Sequence, residues 1–322
     1  MRRFVKKLGE MTKRDSQEAG GKAANLGELE QNGFNVPSGF CVTSGSLSYV
    51  IDQNDLQPKM DAIVHSLDYD DYKGMEEKTS EIRDLISNAQ IPDNLYQEIS
   101  QSIRELLQTE QPFVAVRSSV AVKDSQVSSF PGMMDTFHYL KGEEEIIKHI
   151  KMCWASLWTV RATMNRCHKG IDHRAGLIAP IVQKMVHSEV AGVLFTANPI
   201  TSVRDEMVIE ANWGLGESVV SGKSMNDFYL MSKSPLRLKD KRISKKTLIV
   251  CFDEETGFGR KEMDVGADKM DAPTLSDHQV LELGEIAIRI EALFGSPQDI
   301  EWAYEKGDLF ILQSRNIRTL KG

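Results

Sequence analysis

The sequence has few cysteines, no long apolar run and no excess of basic residues. The four cysteines, Cys41, Cys153, Cys167 and Cys251, form no Cys-x-x-Cys pair, which favours reduced core thiols over a disulfide framework or a zinc site. The longest apolar run, residues 175–182, has eight residues, whereas a membrane-spanning helix needs ~20. The 39 Lys and Arg against 47 Asp and Glu give a net charge of −8, which argues against nucleic acid and anionic membranes as partners.

The sequence shows no internal repeat, and its first residues do not have the pattern of a secretory signal. The basic residues 1–7 lead into polar sequence and not into an apolar segment, so we expect no secretory signal and a cytoplasmic location. The 10 prolines and 23 glycines are scattered and mark no linker. Because 322 residues exceed one average domain of ~100–200 residues, we expect two lobes.

The hydrophobic periodicity predicts both helices and strands. Helices are predicted over residues 93–108, over 143–168, and from Ser276 to Gly295, where Ser276 and Gln279 have capping-box spacing. The predicted strands are residues 113–117, 178–186, 192–196, 207–211, 247–252, 299–304 and 309–313. This mixture indicates an α+β or α/β fold.

Residues 299–315 are predicted to form a β-hairpin that turns at residues 306–308. A three-residue loop would give the pairs Glu305–Leu309, Ala303–Ile311, Glu301–Gln313 and Asp299–Arg315. Paired residues share a face, so one face would be polar and the other would carry Ile300, Trp302, Tyr304, Phe310 and Leu312. Two acids and an amide beside an arginine fit a magnesium–nucleotide site. A solvated surface hairpin is the alternative interpretation.

Four upstream segments also carry residues suited to a nucleotide. Lys22 follows two glycines at a predicted helix start that favours an anion, although the spacing is not that of a P-loop. Arg117 ends a buried strand, and residues 128–136 combine small residues with a Pro-Gly turn, as a phosphate-covering loop would. Gln183 and Met185 suit an adenine ring. The alternatives are a plain helix entry, an internal salt bridge, a surface loop and a core methionine.

Nearly the whole chain resembles the ATP-binding domain of the phosphoenolpyruvate synthase, pyruvate phosphate dikinase and rifampin phosphotransferase family. The resemblance rests on ordered blocks at residues 20–27 (GGKAANLG), 36–40 (VPSGF), 115–119 (AVRSS), 194–199 (LFTANP), 210–217 (EANWGLGE), 299–302 (DIEW) and 311–315 (ILQSR). It implies an α+β, two-lobed ATP-grasp fold with mixed or antiparallel sheets flanked by helices. The lobes would be residues 1–186 and 187–322, with the nucleotide in the cleft between them.

The resemblance also implies roles for individual residues. The expected phosphate ligands, which would also be catalytic, are Lys22, Arg117 and Arg315. Gly132 and Thr136 would belong to the phosphate-covering loop, and Gln183 would lie beside the nucleotide. The expected magnesium ligands are Glu301 and Gln313, with Asp299 as a further carboxylate. Lys123 and Asn198 stand where relatives often carry acidic residues.

In this family the ATP domain passes a phosphoryl group to a histidine on a swivelling domain, which carries it to an acceptor-binding domain. None of the seven histidines of this sequence lies in a similar carrier motif. We therefore expect an ATP- and Mg²⁺-dependent phosphotransferase module that works with these two domains in cis or in trans. The alternatives are a self-contained small-molecule kinase or ATP-grasp ligase, and a module that senses ATP without turnover.

Overall fold

The structure is a computed structural model that describes residues 3–108, 112–122, 136–220, 222, 224–317 and 320. The chain divides into two compact units, Met1–Gln31 with Ser38–Met185, and Asn32–Pro37 with Val186–Gly322. Helices and antiparallel sheets occur together, so the fold class is α+β. No helix in the described ranges is both long and apolar enough to cross a bilayer.

The first unit contains a five-stranded sheet in the order β1-β2-β5-β3-β4, with neighbouring strands antiparallel. Buried apolar side chains of its helices and strands form one core cluster. Its strands are β1 (Val5–Lys7), β2 (Gly39–Val42), β3 (Val114–Val122), β4 (Thr136–Leu140) and β5 (Gly176–Lys184). Its helices are α1 (Ser16–Gln31), α2 (Ser44–Gln53), α3 (Gln57–His65), α4 (Tyr72–Asn88), α5 (Asp93–Leu107), α6 (Glu143–Ala155) and α7 (Val160–His168).

The helix predicted over residues 93–108 is confirmed as α5, whereas the single helix predicted over residues 143–168 is wrong. A 3₁₀ turn, Ser156–Trp158, separates α6 from α7. Thr159 then adopts an extended conformation with ψ 149°, and its side chain accepts a hydrogen bond from the Ala162 amide. An extended N-cap residue ends one helix and starts the next. The apolar periodicity continues through this residue, so the pattern alone did not reveal the break.

The second unit contains a six-stranded antiparallel sheet in the order β13-β12-β6-β7-β8-β9, and a separate hairpin of β10 and β11. The capping box predicted at Ser276 is confirmed, and Gly295 ends that helix in the left-handed conformation. The strands are β6 (Val190–Phe195), β7 (Glu206–Trp213), β8 (Asp227–Lys233), β9 (Leu236–Arg242), β10 (Leu248–Phe252), β11 (Arg260–Asp264), β12 (Gln298–Glu305) and β13 (Asp308–Asn316). The helices are α8 (Glu217–Val220), α9 (Ala267–Met270) and α10 (Asp277–Phe294).

The predicted C-terminal hairpin is present, but its turn has two residues and not three. Lys306 and Gly307 both have positive φ, as a tight turn between twisted strands requires. The predicted pairs Ala303–Ile311 and Glu305–Leu309 are therefore wrong. The observed pairs near the turn are Ala303–Phe310 and Glu305–Asp308.

A β-bulge restores the predicted register further along the hairpin. Trp302 pairs with Ile311 and Glu301 pairs with Gln313, so Leu312 is the extra residue of the bulge. The predicted pairs Glu301–Gln313 and Asp299–Arg315 are confirmed. The predicted apolar face is partly wrong, since Phe310 and Leu312 pack against the buried cluster of Val186, Ala191 and Ala303.

The segment Asn32–Pro37 belongs to the second unit although it lies between α1 and β2 of the first. Its Asn35 donates a side-chain hydrogen bond of 2.9 Å to the Leu309 carbonyl. The Asn35 carbonyl accepts a hydrogen bond of 2.8 Å from the Ile311 amide. This segment therefore lies along β13, the last strand of the sheet order.

The four cysteines are free thiols, as predicted. Cys41 and Cys153 are buried, and burial raises the pKa of the Cys41 thiol. Cys167 and Cys251 are only partly buried, which corrects the prediction that all four belong to the core.

Candidate functional site

In the first unit, three of the predicted site residues lie on neighbouring strands. Arg117 on β3 pairs directly with Thr136 on β4 and with Ile181 on β5. Its Nη1 donates a hydrogen bond of 3.4 Å to Oε1 of Gln183, which is buried. The Arg117 guanidinium is therefore held on the same face of the sheet as the buried amide of Gln183. This arrangement offers a fixed positive charge suited to phosphate oxygens.

Lys22 lies in α1, directly after a break in that helix. Gly20 has φ 76° and ψ 161°, so the helical segment that carries Lys22 starts after it. The Ala23 amide at this start donates a hydrogen bond of 3.3 Å to Ser119 Oγ on β3. A Cβ atom at Gly20 would lie 2.2 Å from the same oxygen. Close packing on β3 therefore places Lys22 near the strand that carries Arg117.

In the second unit, Asp299 and Arg315 form an ion pair across β12 and β13. Arg315 donates from Nε at 2.8 Å and from Nη2 at 2.7 Å, both to Asp299 Oδ2. Burial raises the pKa of the Asp299 carboxyl, and the arginine opposes that shift. The Arg315 side chain keeps 46% of its surface exposed. Asp299 therefore fixes the Nε and Nη2 edge of the guanidinium, while part of the Arg315 side chain stays exposed to solvent.

Glu301 and Gln313 pair directly beside this ion pair. Gln313 Nε2 donates a hydrogen bond of 2.9 Å to Glu301 Oε1. The Gln313 Oε1 atom is buried and accepts no hydrogen bond from the described residues. A buried amide oxygen without a donor, next to a carboxylate, suits a hard cation. The residues present therefore fit magnesium, which is usually bound by one or two protein groups together with substrate phosphates.

The predicted site residues thus form two sets, one in each unit. Lys22, Arg117, Thr136 and Gln183 belong to the first unit, and Asp299, Glu301, Gln313 and Arg315 belong to the second. Gly132 and Lys123 lie outside the described residues. Among those described, no group of three or more His, Cys, Asp or Glu could hold a metal ion by itself.

Asn198 has a local structural role. Its Oδ1 accepts hydrogen bonds from the Ile200 and Thr201 amides at 3.1 and 3.2 Å. Its Nδ2 donates a hydrogen bond of 2.9 Å to Glu206. An aspartate could accept the same two amide bonds but could not donate to a carboxylate. The asparagine therefore matches its neighbours in this turn.

Glu210 has no predicted role, although it belongs to one of the family-like blocks, residues 210–217. Glu210 lies on β7 and pairs with Val193 on β6, which in turn pairs with Glu301 on β12. The order of the strands within the sheet was needed to align these residues. The only signal in the sequence was the acidic residue at the head of the segment 210–217.

Comparison with known proteins places these residues in a family context. Residues 16–322 match the family model described as pyruvate phosphate dikinase, AMP/ATP-binding domain. The chain is 40% identical to the phosphoenolpyruvate synthase of Pyrococcus furiosus, with 99% of this chain and 44% of that protein covered. It is 39% identical to a probable phosphoenolpyruvate synthase of Methanocaldococcus jannaschii, with 99% and 27% covered.

A relative with a different printed activity is about as similar. The rifampicin phosphotransferase of Bacillus subtilis is 38% identical, with 99% of this chain and 36% of that protein covered. The chain therefore spans less than half of the length of each of these three relatives. The match over residues 16–322 shows that the chain belongs to the pyruvate phosphate dikinase AMP/ATP-binding domain family.

Proposed function

We propose that this chain is an ATP- and Mg²⁺-dependent phosphotransferase module with an ATP-grasp fold. ATP is bound by the residues that the family resemblance implies, and a phosphoryl group passes to a histidine of a swivelling domain or partner chain. Family membership supports this proposal. The observation that carries it is the Glu301–Gln313 pair, with its buried amide oxygen, beside the Asp299–Arg315 ion pair.

The side chains of the two sets supply complementary parts of phosphoryl transfer. Lys22, Arg117 and Arg315 provide positive charge for the phosphate oxygens, which is the main requirement of such reactions. Glu301 and Gln313 would hold Mg²⁺, which supplies neutralisation of phosphate charge when it is bound. Arg315 needs a fixed orientation for this work, and Asp299 provides it.

Calorimetric titration of ATP with and without Mg²⁺ tests the proposed metal pair. Glu301→Gln removes one charge while it keeps the shape of the side chain, so we expect a loss of most of the magnesium dependence of ATP affinity. Asp308→Asn is the matched control, because Asp308 is an exposed acid at the turn of the same hairpin. It should behave as the parent does. An unchanged magnesium dependence in Glu301→Gln contradicts the assignment.

Arg117 and Arg315 test the phosphate assignment in the same assay. Loss of an arginine–phosphate bond costs about 1.5–3 kcal/mol, so each Ala variant should bind ATP about tenfold more weakly or worse. The difference in affinity between the parent and each variant should be smaller for ADP and AMP, because they have fewer phosphates. If both variants bind ATP as tightly as the parent, the phosphate sites are assigned wrongly.

The transfer step is tested by supplying the proposed nucleophile on a separate domain. ATP incubated with this chain alone should leave no stable phosphohistidine on it. A swivelling domain from a family relative, added in trans or by fusion, should become phosphorylated on histidine with the β-phosphate of ATP. The γ-phosphate should be released to water as inorganic phosphate, which leaves AMP as the final nucleotide product. Transfer requires that the histidine approach the bound phosphate in line. Rapid formation of ADP and a phosphorylated small molecule by the chain alone contradicts this mechanism.

A further inference from the structure

The six-stranded sheet of the second unit carries a row of paired residues that crosses four strands beyond Gln313. Gln313 pairs with Glu301, Glu301 with Val193, Val193 with Glu210, and Glu210 with Phe228. Directly paired residues of antiparallel strands project to the same face of the sheet. Glu210 therefore shares a face with the proposed magnesium ligands.

This face is the one that α10 does not cover. A Cβ atom on Gly284 of α10 would lie 3.3 Å from the terminal methyl of Met207. Tyr304 donates a hydrogen bond of 2.6 Å to Glu282, also on α10. Met207 and Tyr304 each stand three residues along their strands from the row, and alternation places them on the opposite face. Val193, Glu210 and Phe228 in the row are each partly exposed.

The Glu210 carboxylate is held in position through one oxygen. Asn226 donates a hydrogen bond of 3.1 Å to Glu210 Oε2. Asn226 is itself fixed, since its Oδ1 accepts a hydrogen bond of 3.2 Å from buried Asn212 and its Nδ2 also lies 3.2 Å from the Val219 carbonyl. Glu210 Oε1 accepts no hydrogen bond from any residue in the described part of the chain. An oriented acceptor is therefore available on this face.

The distance between strands decides what this acceptor can reach. Glu210 is two strands from Glu301, which separates their backbones by ~10 Å. That separation, with Val193 between them, does not suit two carboxylates that bind one metal ion. It does allow Glu210 to contact another part of a nucleotide whose phosphates lie at Glu301. A carboxylate is the group that commonly accepts hydrogen bonds from ribose hydroxyls.

We propose that Glu210 is a specificity-determining residue that accepts a hydrogen bond from the ribose hydroxyls of ATP through Oε1. This inference rests on the proposed function, because it takes the phosphates to lie at Glu301 and Gln313. Asn226 acts as a positioning residue that holds Oε2 and turns Oε1 toward the ligand.

The test is calorimetric binding of ATP, 2′-deoxyATP and 3′-deoxyATP, each with Mg²⁺. The parent should bind ATP about tenfold more tightly than at least one of the deoxynucleotides, as expected for a hydrogen bond to a charged acceptor. Glu210→Gln should weaken ATP binding about tenfold and remove most of that preference. Glu206→Gln is the control, because Glu206 lies on the same strand and face but pairs with Lys239 and Asn198. It should keep the preference of the parent.

The outcomes separate this inference from the function on which it rests. If the parent does not bind ATP, both are overturned. If the parent binds ATP and prefers it, and Glu210→Gln keeps that preference, the ribose assignment alone is overturned. If Glu210→Gln changes the magnesium dependence of ATP affinity but keeps the preference for ATP over the deoxynucleotides, the ribose assignment is also overturned. Glu210 would then be assigned as a metal ligand. If Glu210→Gln does not fold, as judged by circular dichroism, Glu210→Asp replaces it and should lose the same preference.

Discussion

Two neighbouring glycines should respond in opposite ways to the same substitution. Gly20 has φ 76° and ψ 161°, a region that side chains rarely adopt, and its added Cβ would lie 2.2 Å from Ser119 Oγ and 2.7 Å from the Val120 carbonyl. Backbone strain of about 1–3 kcal/mol and overpacking of a similar size act together. We therefore expect Gly20→Ala to destabilise the first unit by about 3 kcal/mol.

Gly21→Ala is the matched control for that prediction. Gly21 is exposed and helical, and an added Cβ would meet no atom within 4 Å. Alanine in a helix is favoured over glycine by about 0.5–1 kcal/mol, so this variant should be slightly more stable than the parent. Hydrogen exchange of peptides from α1 and β3 measures the local opening free energy without assuming that both units unfold together. Equal effects of the two substitutions refute the proposed packing of α1 on β3.

Three further predictions concern ionisable side chains. Burial, assisted by a nearby arginine, lowers the pKa of His173 from 6.5 to about 4. Only the unfolded chain takes up a proton in this interval, so the first unit should lose stability as the pH falls from 6.5 toward 4. His173→Gln should flatten that dependence in thermal unfolding, and an unchanged slope contradicts it. Lys246 and Asp227 form a 2.7 Å ion pair with both side chains fully buried, so Lys246→Met should destabilise the second unit by about 3–5 kcal/mol in urea unfolding. Adding Asp227→Asn to Lys246→Met should recover part of the lost stability. No recovery shows that the lysine acts only through packing. A double-mutant cycle of Arg315→Gln and Asp299→Asn should give a coupling of only about 1 kcal/mol, since the Arg315 side chain is 46% exposed; a coupling near zero shows that the pair does not hold the guanidinium.

Local patterns in the sequence predicted the elements well where the chemistry of a few neighbouring residues decides the structure. The capping box at Ser276 and the left-handed Gly295 fix both ends of α10. The alternation of polar residues predicted the Glu301–Gln313 pair. These features depend on interactions between residues close in sequence or across one turn.

Other features depend on contacts that a linear pattern does not contain. The two-residue turn and the bulge at Leu312 shift the hairpin register by one residue and then restore it. The periodicity of α6 and α7 continues through Thr159, so only the extended backbone reveals the break. Ser119 meets the start of the Lys22 helix from 96 residues away, and Glu210 joins the row only once the strand order is known.

The path of the chain through Asn32–Pro37 limits how this protein can be cut into pieces. A fragment of residues 186–322 would lack Asn35, whose backbone and side chain bond to β13 at Ile311 and Leu309. An uncovered strand edge is a template for pairing with other chains, so such a fragment should self-associate. During synthesis, residues 32–37 emerge long before β13, so the second sheet reaches its final form only after residues 308–316 have been made. Expression of the second unit by itself should therefore include a tethered copy of this short segment.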